Sequence, residues 1–136
     1  MIYLDTNILL YATLTKVDTP SQQDRAIEIL KELIDNETLL LSNLNLLEYS
    51  FVMKKAKEDS EKIESALELF QSFVREEKEG FSNELMQFLD NDYAFKSSFD
   101  LYHLAFSNYY KCEKLITFDR GFKKFYAVCG VEIEIL

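Results

Sequence analysis

Apolar residues fall into two kinds of run along this chain. Ile2-Tyr3-Leu4, Leu39-Leu40-Leu41 with Ser42, and Leu115-Ile116-Thr117-Phe118 are short stretches that do not alternate. Runs of that length predict strands buried on both faces. Residues 131–136 (VEIEIL) alternate apolar with acidic and predict an edge strand. Elsewhere apolar residues return every three or four positions. A helix is predicted from Pro20-Ser21 to Asn36, with Ser21 and Asp24 as a capping box and Ala26, Ile27, Leu30, Leu33 and Ile34 as its inner stripe. A second helix follows Ser42 or Asn43, runs over 44–57 and is apolar nearly all round. A third, over 61–79, turns Ile63, Ala66, Leu67, Phe70, Phe73 and Val74 inward and is closed by Gly80. Residues 82–95 read as a weakly patterned helix, and Ser97 or Ser98 caps another over 99–111.

Apolar strands alternating with helices define the fold class as α/β, a three-layer α/β/α sandwich around a small parallel sheet. With 136 residues the chain is one domain, 1–136. In such sheets sites form at the carboxyl ends of strands, where the strand order reverses. Asp5 ends the first apolar run, before Thr6-Asn7 and the helix-like ILLYA, and Asp119 ends the third.

Composition narrows the classes. A net charge of −9 argues against a general nucleic-acid coat, because phosphate contact rests on Lys and Arg, but leaves room for carboxylates that hold cations. Three Gly, one Pro and 48% hydrophobic residues exclude a disordered chain. No apolar run approaches the ~20 residues of a membrane span, and no basic segment precedes the first one, so a cytoplasmic protein is expected. Cys112 and Cys129 lack metal-like spacing and are expected to be reduced thiols.

Two helical acids join Asp5 and Asp119. Glu48 falls between Leu44, Phe51 and Val52 on its helix, and a carboxylate in an apolar stripe needs a cation or hydrogen bonds. A buried pair with Lys55 is the plain alternative. Asp100 lies in the first turn of its helix, where the macrodipole already favours an anion. Asp5 and Asp119 could equally serve as turn or cap residues. Four acids on four elements nevertheless all have reasons to face one crevice.

D-T-N after an N-terminal strand (Asp5, Thr6, Asn7), Glu48 in NLLEYSFV, Asp100 in SFDLYHLAF, and Thr117 with Asp119 in ITFD appear in an order that resembles the PIN domain. Within that family the chain is most similar to the VapC-like toxin ribonucleases of toxin–antitoxin pairs. The resemblance implies an RNA endonuclease using Mg²⁺ or Mn²⁺, with Asp5, Glu48, Asp100 and Asp119 as its acidic cluster and Asn7 and Thr117 lining it. It also implies an RNA substrate, a small antitoxin partner and a homodimer. Two features depart from the pattern. Gly121 stands in D-R-G-F where many relatives carry another acid, and no strand is evident between the helix ending near 79 and that of Asp100.

The chemistry agrees with the resemblance, since hard oxygen ligands select Mg²⁺ or Mn²⁺, which lower the pKa of a water and neutralise a phosphodiester. Asp5 and Asp119 are assigned as ligands, Glu48 as a ligand or a base, and Asp100 as a ligand of a more weakly held ion. His103 shares a face with Asp100 and is read first as a helix histidine bonded to polar neighbours, with a general acid or a metal ligand as the alternative. Lys54, Lys55 and Lys57, and Arg120, Lys123 and Lys124, are candidate RNA contacts against a plain reading as solvated surface. Tyr49, Phe51, Tyr102, Phe122, Phe125 and Tyr126 could stack bases, though core packing explains most of them. A catalytically silent binding module and a Mg²⁺-dependent phosphotransfer domain are the other classes considered.

Overall fold

The computed structural model describes residues 1–90, 97–126 and 130–136. Residues 91–95 of the expected fourth helix, and Cys129, lie outside the described residues. The strands are β1 (Ile2–Leu4), β2 (Leu39–Leu40), β3 (Lys114–Thr117) and β4 (Glu132–Ile135), and all pair in parallel in the order β2-β1-β3-β4. The helices are α1 (Thr6–Thr13), α2 (Pro20–Asp35), α3 (Asn43–Lys55), α4 (Ser60–Gln71), α5 (Phe81–Asp90) and α6 (Ser98–Tyr109), with a 3-10 helix at Arg120–Phe125.

The period of two along each strand divides the core between the faces. Tyr3 is level with Leu40 and Leu115, and Leu115 with Ile133, and all four enter one core with Phe81, Phe88, Leu104 and Phe106 of α5 and α6. Leu4, Leu39, Leu41 and Ile116 enter the other, with Ile8, Leu30, Tyr49 and Phe70 of α1 to α4. Both faces of the sheet are covered, which is why its strands read as unbroken apolar runs. Among the described residues no helix is long and apolar enough to cross a membrane. Cys112 is buried and free, and burial pushes its thiol up to about 11.

Several expectations need correction. The cap of α2 is Thr19 with Pro20 in the first turn, so Ser21 stands inside the helix and the capping box with Asp24 does not form. Ile27 is largely exposed, and Ile29 takes its place in the core. α3 buries Asn45, Tyr49 and Met53, a stripe at i, i+4 and i+8, and leaves Leu47 and Phe51 each 64% exposed. α4 stops at Gln71, and Val74, expected on that helix, instead forms a bridge to Leu41 at the edge of the sheet. Phe73 O accepts from Leu41 N and Arg75 N donates to Leu41 O, so the chain after α4 adds a short rail beside β2. Gly80, at φ +91°, precedes α5 and does not close α4.

β1 connects to β2 on one side, and β3 lies on the other. The strand order therefore reverses between β1 and β3, and the crevice at their carboxyl ends receives Asp5 and Asp119.

Candidate functional site

Asp5 occupies the N-cap position of α1, yet its side chain makes no capping bond. Its backbone N–H continues the ladder to Ile116 O (2.9 Å), which fixes the residue against β3. Its carboxylate turns to the crevice: Thr117 Oγ1 donates to Oδ2 (2.7 Å), and His103 Nε2 lies 3.7 Å from Oδ1. Only 9% of the residue is exposed. Burial pushes the Asp5 carboxyl above its ordinary range, and the Glu48 charge adds to that, against the pull of His103 and Thr117.

Thr117, fully buried at the end of β3, is a junction. Its hydroxyl spends its proton on Asp5 and accepts from Asp119 N (2.9 Å) and Asn7 Nδ2 (3.2 Å). Asn7 Oδ1 also accepts from Phe118 N at 3.4 Å. Asn7 thus holds the turn after β3. Asp119 is exposed and caps the 3-10 helix, its Oδ1 accepting from Gly121 N (2.8 Å). A Cβ at Gly121 would stand 3.0 Å from that Oδ1, so a larger residue there would press the carboxylate aside by a few tenths of an ångström.

Asp100 lies in the first turn of α6, whose cap Ser97 accepts from Asp100 N (3.2 Å). Its carboxyl is raised by partial burial and then by the charges of Asp119 and Asp5. Mutual repulsion of that kind places the three aspartates in one electrostatic neighbourhood.

Glu48 is reached from the other side of the crevice. Thr6 Oγ1 and His103 Nε2 both contact its Oε1, each at 2.7 Å. Burial works against its charge, but the His103 and Thr6 bonds outweigh burial and hold the carboxyl below its ordinary range. Lys55, the partner in the plain alternative, is not there. It lies over the Phe51 ring at 5.7 Å, near the far end of α3, and Lys54 faces the cleft with Leu47, Ser50 and Phe51. Arg120 is exposed and directly follows Asp119.

Five residues whose part was not legible complete the site. Tyr3 OH bonds His103 Nδ1 (2.5 Å) and Ser42 Oγ (3.0 Å). Ser42 Oγ donates to Asn45 Oδ1 (3.1 Å), and Asn45 Nδ2 donates to Thr6 Oγ1 (3.0 Å) and Leu4 O (3.2 Å). Tyr3, His103, Glu48, Thr6, Asn45 and Ser42 therefore form a closed circuit. Ser42 N donates to Asn45 Oδ1 (2.8 Å), which fixes that amide's orientation. With the Ser42 proton on Asn45, Tyr3 donates to Ser42 and accepts from His103 Nδ1–H. With Glu48 ionised, His103 Nε2 donates to it, and this arrangement favours the charged imidazole. Burial alone would push His103 down, but the Glu48 bond and the charges of Asp5, Glu48 and Asp100 lift it above its ordinary value.

The donor set fits a hard divalent cation. Asp5 and Asp100 are carboxylates that burial and like charge make costly to ionise, and a cation beside them reverses that cost. Among the described residues no three of the acids, cysteines or histidine converge as a ready-made ligand group. Mg²⁺ does not require one, since it keeps several waters and binds through one or two carboxylates.

A PIN domain model matches residues 2–128, and the chain belongs to the PIN domain family. Its fold is also that of solved VapC and Fit proteins. VapBC2 from Rickettsia felis, solved bound to a DNA fragment from its promoter, aligns over 100% of this chain and 99% of its own, with a TM-score of 0.71 and 24% identity. FitAcB from Neisseria gonorrhoeae aligns over 98% and 96%, at 0.68 and 20%. VapC20 from Mycobacterium tuberculosis, described as a toxin cleaving the sarcin–ricin loop, aligns over 95% and 96%, at 0.66 and 16%. No curated protein matches the chain by sequence.

Proposed function

We propose that this PIN domain is a divalent-metal-dependent endoribonuclease that cleaves single-stranded or structured RNA, and that it is the toxin of a toxin–antitoxin pair. The observation that carries the reading is the Asp5 side chain. It sits where a helix cap would be, forgoes the capping bond, and is held instead by Thr117 and beside His103 in the crevice at the strand switch point. The fold shared with VapC20, described as a toxin cleaving the sarcin–ricin loop, and with VapBC2 and FitAcB supports both halves of the proposal.

In this reading Asp5, Asp100 and Asp119 hold Mg²⁺ or Mn²⁺, which supplies water activation and charge neutralisation at the phosphodiester. Thr117 aims Asp5 and braces the backbone of Asp119, while Asn7 braces Thr117. Glu48, ionised and pinned by Thr6 and His103, orients or accepts the proton of the attacking water. Arg120 and Lys123, one and four residues after Asp119, are the cations assigned to an RNA phosphate. Further parts of the proposal are a small antitoxin protein as partner, a homodimeric assembly and a cytoplasmic setting.

The test is a Mn²⁺ titration followed by melting temperature and by cleavage of a labelled single-stranded RNA. Stabilisation at millimolar Mn²⁺ together with metal-dependent cleavage is expected, because only the folded state assembles the acids. Stabilisation without cleavage of any RNA offered would favour a catalytically silent binding module.

A further inference from the structure

We propose that His103, seated by Tyr3, is a positioning residue that fixes the Glu48 carboxylate for the chemistry of the site. The inference rests on the nuclease reading and adds two residues to it.

Glu48 stands on an inhospitable stretch of helix for a precisely aimed acid. Leu47 beside it and Phe51 three residues on are each 64% exposed, so of its own layer it is Thr6 of α1 that holds the carboxylate, at 2.7 Å. A glutamate in such a place ordinarily samples several rotamers. The second restraint comes from across the sheet. α3 packs with the core on one face, through Tyr49 and Met53, and α6 with the core on the other, through Leu104 and Phe106. His103 Nε2 to Glu48 Oε1, at 2.7 Å, joins these two layers at the mouth of the crevice.

His103 is itself fixed. It is 2% exposed, its ring is tilted against Tyr3 with centroids 5.6 Å apart, and its Nδ1 is 2.5 Å from the Tyr3 hydroxyl. Tyr3 is fully buried in β1 and bonded onward to Ser42, the cap of α3. The glutamate, its helix cap and the strand that ends in Asp5 are therefore tied into one circuit. His103 and Thr6 both act on Oε1, so Oε2 is the oxygen Glu48 offers. His103 also faces Asp5 at 3.7 Å and shares its helix with Asp100, so it bears on the acids as a set. A buried histidine satisfied only for the sake of the core would not need to end on the one helical acid of α3.

Double-mutant cycles separate positioning from mere structure. Tyr3→Phe and His103→Phe are made in the parent and in Glu48→Gln, with folding checked by circular dichroism. Both kcat for RNA cleavage and the Mn²⁺ dissociation constant from calorimetry are then read. Removing a partner that orients a ligand typically costs ~10–100-fold in metal affinity or activity. His103→Phe should therefore lower kcat by about that factor and weaken Mn²⁺ binding, and Tyr3→Phe should do the same to a smaller degree, with KM for RNA unchanged. In the Glu48→Gln background neither substitution should cost anything further, since residues that act as a unit are not additive. Tyr3→Phe keeps an apolar ring in the core and carries the test if His103→Phe does not fold. Equal losses in both backgrounds, or folded variants with parental kcat and Mn²⁺ affinity, would overturn the inference while leaving the nuclease reading intact. A parent that neither binds Mn²⁺ nor cleaves RNA would remove both.

Discussion

Thr117 Oγ1 donates to Asp5 Oδ2 at 2.7 Å, joining the last residue of β3 to the residue that follows β1 across 112 positions of sequence. The same hydroxyl accepts from the Asp119 and Asn7 nitrogens, so one buried side chain orients both strand-end acids. Thr117→Val keeps the shape and removes the hydroxyl, leaving buried partners unsatisfied at a cost of ~1–3 kcal/mol. Urea denaturation should show that loss, and RNA cleavage should fall with it, whereas Thr117→Ser should stay near the parent in both. A valine variant of parental stability would mean the junction is not made.

The site should also make stability depend on pH in a definite direction when metal is chelated. His103 is raised, so its contribution is complete below about pH 6.5 and is lost as pH rises through its folded value. Asp5 and Asp100 are raised too, so their ionisation above the ordinary carboxylate range also lowers stability as pH rises. Glu48 is lowered and contributes above its unfolded value of roughly 4.3, losing that contribution as pH falls through its folded value. The protein in EDTA should therefore be more stable near pH 5.5 than at pH 8, and His103→Gln should flatten the difference. Denaturation curves at the two pH values check this, and equal stability in the parent would contradict it.

Much of this arrangement was legible in the sequence, and what was not has physical reasons. Asp5 and Asp119 stood out because a sheet covered on both faces needs unbroken apolar strands, and an acid ending such a run marks its carboxyl end. The circuit of Tyr3, Ser42, Asn45 and His103 left no such mark. Tyr3 and His103 are 100 residues apart, and a hydrogen bond between them imposes no local spacing. His103 was expected to bond polar neighbours, as it does, but nothing in sequence pointed to Glu48 as one of them. α3 misled because apolar residues surround it. The face it buries was selected by Asn45, whose amide serves Leu4, Thr6 and Ser42, and not by the count of apolar side chains. α4 ended early because Val74 gains a place beside Leu41, a pairing that periodicity cannot see.

Exposure on α3 gives a direct check of that correction. Leu47→Ser and Phe51→Ser should each change stability by no more than about 0.5 kcal/mol, the usual range for surface substitutions. Met53→Ser, at a fully buried position, should cost several times more. Comparable losses at all three positions would return Leu47 and Phe51 to the core.

Placement of the basic residues makes a further distinction. Lys54 and Lys55 engage the far part of α3, whereas Arg120 and Lys123 follow Asp119 directly. Replacing Arg120 and Lys123 by Ala should weaken RNA binding and reduce the salt dependence of the affinity, by about one slope unit for each phosphate that is no longer neutralised. Replacing Lys54 and Lys55 should have less effect. Filter binding at several salt concentrations compares the pairs, and a larger loss from the lysine pair would move the RNA path toward α3.

In the proposed reading Asp5, the acid after β1, serves the chemistry and not the helix it precedes, and the rest of the proposed site depends on that. Asp5→Asn preserves size and one carbonyl oxygen for Thr117 while removing a charge that burial makes costly. The decisive measurement is cleavage of a single-stranded RNA by parent and Asp5→Asn side by side, with Mn²⁺ and with EDTA, alongside their unfolding in EDTA. The expected result is cleavage by the parent only with metal, a loss of at least ~10²-fold in the variant, and stabilities within about 1 kcal/mol of each other. An Asp5→Asn protein that cleaves at the parent's rate with Mn²⁺ would contradict it.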